Sequence, residues 1–160
     1  MDGVRAYWDG EKLLSRNLKP ILSCPQWFYE KLPKDMKLDG EFWMGRKKLE
    51  MTLATINSKE ENELWKQIKF MIFDLLIPNQ PYEKRMEQLK SNIQIFPSFV
   101  RIIDTKICQG NDDLMEELNI IVSNGGEGIV VTKPQSLYLA ERTRVRLKVK
   151  VNYYFFLIFF

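Results

Sequence analysis

Two hydrophobic rhythms run along this chain. In "NDDLMEELNIIVSNGG" the positions Leu114, Leu118, Ile121 and Val122 recur at helical spacing. Asp112 and Asp113 sit where the positive end of the helix dipole would be, and Asn124-Gly125 marks the stop. "YEKRMEQLKSNI" repeats the pattern with Tyr82, Met86 and Leu89 on one face, after a break at Pro78 and Pro81. Between prolines 25 and 33, "PQWFYEKLP" fits a short helix, and Ser58 with Glu61 has capping-box spacing before "NELWKQIK".

The other rhythm is that of strands. "VRAYW", a turn at Asp9-Gly10 and "EKLLSRNLKPI" predict a hairpin over residues 4–22. "MKLDGEFWMGRKKLE" suits a second hairpin, "FMIFDLLI" is a continuous apolar run expected to be a buried strand, and "FVRIIDTKI", "EGIVVTK" and "RVRLKVK" predict three more strands. Helices and strands alternate without a strict βαβ order, so the class expected is α+β.

Composition narrows the chemistry. At 160 residues, 45% apolar and 28% charged, the chain is expected to be one soluble domain with a real core. A net charge of only +3 means that a phosphate-bearing partner must be held by local clusters of cations. The absence of histidine removes Ser-His-Asp and Cys-His catalysis and most zinc sites. Carboxylates, lysines, arginines and a hard cation such as magnesium remain. No phosphate loop and no Gly-x-Gly-x-x-Gly turn is present, so a bound nucleotide would have its phosphates held by side chains. Cys24 and Cys108 make no disulfide framework, which points to a reduced, intracellular setting. Neither a signal sequence nor an apolar run of membrane-spanning length is seen.

Three stretches concentrate charge. In "RTRVRLKVK", Arg142, Arg144, Arg146, Lys148 and Lys150 alternate with smaller or apolar residues, so on a strand the five cations share one face. Such a row either invites a polyanion or guards a solvated sheet edge. In "NGGEGIVV", Glu127 lies between glycines at the mouth of an apolar strand, either as a metal-holding acid or as an exposed turn residue. In "LDGEFW", Asp39 and Glu41 share one strand face, which is either a site or the polar side of a hairpin. Phe70 and Phe73 are core residues by default, although an aromatic at a strand end can stack on a base for ~1–3 kcal/mol.

Taken in order, the fragments resemble the covalent nucleotidyltransferases, and specifically the ATP-dependent DNA ligases, across residues 1–150. "MDGVR" is similar to everything after the lysine in the family's Lys-x-Asp-Gly-x-Arg motif, with Met1 at x. "SRNLKPI", "LDGEFW", "FMIFD", "EGIVV" and "LKVK" are similar to the motifs that follow it. The glutamate of "EGIVV" favours DNA ligases over messenger-RNA capping enzymes, which usually carry aspartate there.

The resemblance implies a nucleotidyltransferase adenylation-domain fold with antiparallel sheets flanked by helices. It also implies a reaction that seals nicks in duplex DNA through lysyl-AMP and DNA-adenylate, using ATP and Mg2+ or Mn2+. By the same resemblance Asp2 and Arg5 would act at the nick and Arg16 would hold the 5′-phosphate. Glu41 would bind the ribose, Phe73 would stack on adenine, and Glu127 would serve the metal. Arg142, Lys148 and Lys150 would grip phosphates, the lysines at the α-phosphate.

A monomer acting on nicked DNA in the nucleus or another DNA-containing compartment, without a membrane, is the expected setting. The nucleophilic lysine would stand just ahead of Met1, and residues 151–160, "VNYYFFLIFF", form an apolar tail where a ligase would enter an OB-fold domain. Truncation at both ends, and no self-adenylation by the chain as it stands, are therefore expected. The competing readings are a non-catalytic nucleotide- or nucleic-acid-binding remnant and a relative of RNA ligases or capping guanylyltransferases.

Overall fold

The computed structural model describes residues 1–140 and 143–150. Its centre is a five-stranded sheet in the order β2-β1-β3-β4-β5, formed by Val4–Trp8 (β1), Leu13–Ser15 (β2), Leu38–Trp43 (β3), Lys69–Leu75 (β4) and Val100–Ile102 (β5). All pairs are antiparallel except β4–β5, which run parallel at the edge. Ile129–Thr132 (β6) and Arg146–Val149 (β7) make a separate antiparallel pair. Helices Gln26–Tyr29 (α1), Leu49–Ile56 (α2), Tyr82–Ser91 (α3) and Asn111–Ser123 (α4) complete the α+β fold.

One face of the larger sheet is the core. Ala6 and Trp8 of β1, Leu38 and Phe42 of β3, and Phe70 and Ile72 of β4 are buried there with Phe28 and Trp65. Rings pack edge-on within this layer, Phe42 against Trp65 at 5.4 Å and Phe28 against Trp65 at 5.3 Å, the geometry favoured by ring quadrupoles. Gly40 belongs to this face, and a Cβ there would lie 2.5 Å from the Met71 carbonyl and 2.8 Å from the Phe70 ring. Strands β3 and β4 can approach only because that side chain is missing.

The first hairpin forms as expected, closed by Asp9, whose carboxylate accepts from the Glu11 and Lys12 amides. Helices α3 and α4 form where the periodicity places them, and Gly125, at φ 74°, ends α4. The second hairpin does not form. Gly45, at φ 129°, turns the chain out of β3 into the helix α2, and β3 pairs instead with β1 and β4. The helix start expected at Ser58 is also displaced: Ser58 bonds within its own turn to Glu60, and Asn62 caps a short 3-10 segment at Glu63–Gln67. The "FVRIIDTKI" strand shrinks to three residues.

Candidate functional site

The face of the five-stranded sheet opposite the core carries the charged and polar strand residues. Strand alternation sends Arg5 and Tyr7 of β1, and Asp39 and Glu41 of β3, to this side, with Arg5 directly opposite Glu41. On β4 the register slips between Asp39 and Gly40: Asp74 pairs with Asp39, Ile72 pairs with Gly40, and Phe73 is the extra residue. A bulge of this kind turns two consecutive side chains to one face. Phe73 is half-buried on the site side, whereas Phe70 stays in the core.

Both aspartates are sealed from water. Asp39 receives Arg5 through two bonds, Nε to Oδ1 at 3.0 Å and Nη2 to Oδ2 at 2.5 Å, and the Tyr138 hydroxyl donates to it at 2.8 Å. Asp74 receives the buried Arg85 through Nε at 2.7 Å and Nη2 at 3.1 Å, and Arg146 of β7 at 2.5 Å. The guanidinium groups of Arg5 and Arg146 lie 5.6 Å and 5.5 Å from the centre of the Phe73 ring, within cation–π range. Burial pushes the Tyr138 hydroxyl well above the ordinary phenol range, and Asp39 adds to the shift, so it remains a proton donor.

Strands β6 and β7 bring the second group of residues. Arg146 and Lys148 occupy alternate positions on β7, opposite Thr132 and Val130. Lys148 acts on Glu41: burial raises the Glu41 carboxyl above its ordinary value, and Lys148, the chain's amino terminus and Arg5 oppose that rise. Lys150 pairs with Glu127 at 3.3 Å. Gly128, at φ 151°, leaves no room for a Cβ beside the Val149 carbonyl, so glycine lets β6 start flush against β7.

Through Arg5 and Arg146, which both lie over the Phe73 ring, Glu41, Phe73 and Lys148 come to the same side of the large sheet, facing β7 across a cleft, while the Glu127–Lys150 pair stands just before β6 and just after β7. Asp2 is exposed and close enough to raise the Glu41 carboxyl further. Arg16 is exposed in the turn after β2, one residue past the Ala6–Ser15 pair and so level with Arg5. Of the five-cation row, Arg146 and Lys148 are on the strand, Lys150 follows it, Arg144 lies in the preceding turn, and Arg142 is outside the described residues. The 151–160 tail is outside them as well.

Among the described residues no group of three or more metal-ligating side chains is assembled. A Mg2+ or Mn2+ that keeps most of its waters and bridges phosphates needs only one or two carboxylates. The exposed Glu127 beside Lys150 fits such an ion arriving with a nucleotide and does not fit a protein-caged one.

Sequence reasoning missed Asp74, Arg85 and Tyr138 as parts of this cleft. A signal existed for Arg85, since it falls at helical spacing with Tyr82 and Leu89 on the face that α3 buries. An arginine there has to find a carboxylate.

Comparison with solved structures defines the class. The chain superposes on a Lig E DNA ligase with a TM-score of 0.84 at 29% identity, covering 94% of this chain and 59% of that one. Against a Chlorella virus DNA ligase-adenylate the TM-score is 0.76 at 26% identity, covering 94% and 58%. The fold is that of the DNA ligase adenylation domains, a nucleotidyltransferase fold.

The particular family follows from sequence. The ATP-dependent DNA ligase domain matches residues 1–150, and the chain belongs to that family. It is 30% identical over 151 residues to the DNA ligase of Haemophilus influenzae, covering 94% of this chain and 55% of that protein. To DNA ligase 4 of Saccharomyces cerevisiae it is 28% identical over 116 residues, covering 68% of this chain and 12% of that protein. The chain thus spans about half the length of the bacterial relative. Among the described residues no helix is long and apolar enough to cross a membrane.

Proposed function

We propose that this chain is the nucleotide-binding catalytic unit of an ATP-dependent DNA ligase that acts on nicked duplex DNA. What supports the reading is that Arg5, opposite Glu41, and Arg146, two positions before Lys148, both lie over the Phe73 ring, and that Lys148 acts on the Glu41 carboxyl, so β3, β4 and β7 contribute to one neighbourhood. In this reading Phe73 stacks on adenine and Glu41 holds the ribose. Lys148 and Lys150, with Arg142, neutralise charge at the phosphates, the largest contribution that such sites make to phosphoryl chemistry.

Glu127 would hold the divalent cation, which screens phosphate charge when bound. Arg5 is fixed in plane by Asp39 and, with Asp2 and Arg16, faces the DNA ends. A guanidinium already locked by two bonds loses little further freedom on meeting a phosphate.

The test uses the 160-residue chain, ATP with magnesium, and a nicked duplex whose 5′-phosphate already carries AMP. ATP binding that is weakened in Phe73→Ala, together with sealing of the pre-adenylylated nick, is the expected result. Salt-sensitive DNA binding without sealing would replace the proposal by a binding module. Preference for GTP, or for RNA ends, would replace it by a capping enzyme or an RNA ligase.

A further inference from the structure

The two walls of the cleft belong to different sheets. Among the described residues, the main packing contacts run within each sheet and between α3 and β4, not between the two sheets. Among the described residues, hydrogen bonds of Gln135, Ser136, Tyr138 and Arg146 join the walls. The Gln135 amide donates to both Glu83 carboxylate oxygens at 2.9 Å, and Arg85 Nη1 donates to the Ser136 carbonyl at 3.0 Å. Tyr138 donates to Asp39 at 2.8 Å and Arg146 to Asp74 at 2.5 Å.

The last two bonds end on carboxylates that are register partners across β3 and β4 and only 1% and 0% exposed. Neighbouring buried carboxylates repel, and each also holds an arginine on the larger sheet's side, Arg5 on Asp39 and Arg85 on Asp74. Three guanidinium groups and one phenol around two carboxylates leave few directions in which the second sheet can shift without stranding a charge.

We propose that the Asp39–Asp74 pair is a clamp that fixes the gap between the base wall (Phe73 and Glu41) and the phosphate wall (Lys148 and Lys150), with Tyr138 and Arg146 as positioning residues. The inference rests on the nucleotide reading above and adds how the site gains affinity. ATP touches both walls, so its binding benefits from the effective concentration that a fixed gap provides; adenosine or inorganic tripolyphosphate touches one wall only. Loosening the gap weakens ATP and spares its two halves.

Tyr138→Phe and Arg146→Met each remove one tether and leave Asp39 on Arg5 and Asp74 on Arg85, so neither strands a buried charge. Displacement of a fluorescent ATP analogue measures all three ligands, and thermal melting checks the fold. The double variant should bind ATP about tenfold more weakly or worse, with each single variant in between, while adenosine and tripolyphosphate stay within about twofold. A parallel fall for all three ligands would mean a merely structural role and overturns the clamp. A double variant with wild-type ATP affinity overturns the clamp alone, and a wild-type chain that binds no ATP overturns the nucleotide reading along with it.

Discussion

Replacing Arg85 by methionine tests the scaffold of the cleft most directly. The side chain is 1% exposed and its partner Asp74 is 0% exposed. Besides its two bonds to Asp74, Arg85 satisfies the carbonyls of Gln80 and Ser136 and lies between the rings of Tyr82 and Tyr138, at 5.6 and 5.9 Å. Removing one partner of a buried ion pair costs about 3–5 kcal/mol, and a buried carbonyl left without a donor costs about 1 kcal/mol or more. Arg146 stays on Asp74 at 2.5 Å and offsets part of the first cost, so the expected net loss is about 3–4 kcal/mol.

With a urea slope of about 2 kcal/mol/M the unfolding midpoint should fall by about 1.5–2 M. Trp8 and Trp65, at 1% and 0% exposure, report the transition by the red shift of their emission. Adding Asp74→Asn removes the buried charge that methionine leaves with Arg146 as its one guanidinium partner, so the double variant should be more stable than Arg85→Met alone. A single-variant loss under about 1 kcal/mol, or a double variant less stable than the single, would refute the reasoning.

Three further outcomes are expected. Phe73→Ala should weaken ATP binding by about 5- to 150-fold, the worth of one base stacked on an aromatic ring, while Phe73→Tyr keeps most of it; isothermal titration measures both. Gly40→Ala should lower stability by about 1–3 kcal/mol or more in urea unfolding, because its methyl meets the Met71 carbonyl backbone, which cannot rotate away. Burial raises the Glu41 carboxyl, so the folded state binds its proton more tightly than the unfolded chain does. Stability from this group is therefore lost as pH rises from the ordinary carboxyl range through the raised value. Glu41→Gln should melt at a higher temperature than wild type at neutral pH, with the gain vanishing below the ordinary carboxyl range; an equal shift at both pH values would count against the assignment.

Much of this was legible from local pattern. Helices α3 and α4, the first hairpin and the apolar strand β4 follow from spacing and from turn residues. Asp39 and Glu41 share a face because a strand has period two. The rest depended on events that period two cannot report. An unbroken β4 would have placed Asp74 in the core and Leu75 in the cleft; the extra residue Phe73 reverses both. The "MKLDGEFWMGRKKLE" segment has the composition of a hairpin, yet its strand finds partners thirty residues away on either side, and only the assembled sheet shows this. Tyr138 reaches Asp39 across ninety-nine positions, a separation over which sequence pattern carries no signal.

The ion pairs of the cleft divide by exposure, and the division matches what the proposed phosphate site would need of each. Lys150 and Glu127 are 48% and 41% exposed and 3.3 Å apart; a pair of that kind is worth about 0–1 kcal/mol, so a phosphate can take the lysine at almost no cost. Arg85 and Asp74 are sealed, and separating them would strand a charge in the interior. Arg5 and Arg146 lie between these limits, with side chains 42% and 25% exposed over carboxylates that are 1% and 0% exposed. Arg5 can turn its free Nη1 outward while its two bonds to Asp39 hold the guanidinium plane. The buried acids thus fix where the cations stand, and the exposed pairs supply those that can change partner. A cleft built wholly from exposed pairs would bind phosphate with little control of geometry, and one built wholly from buried pairs would have no cation to offer.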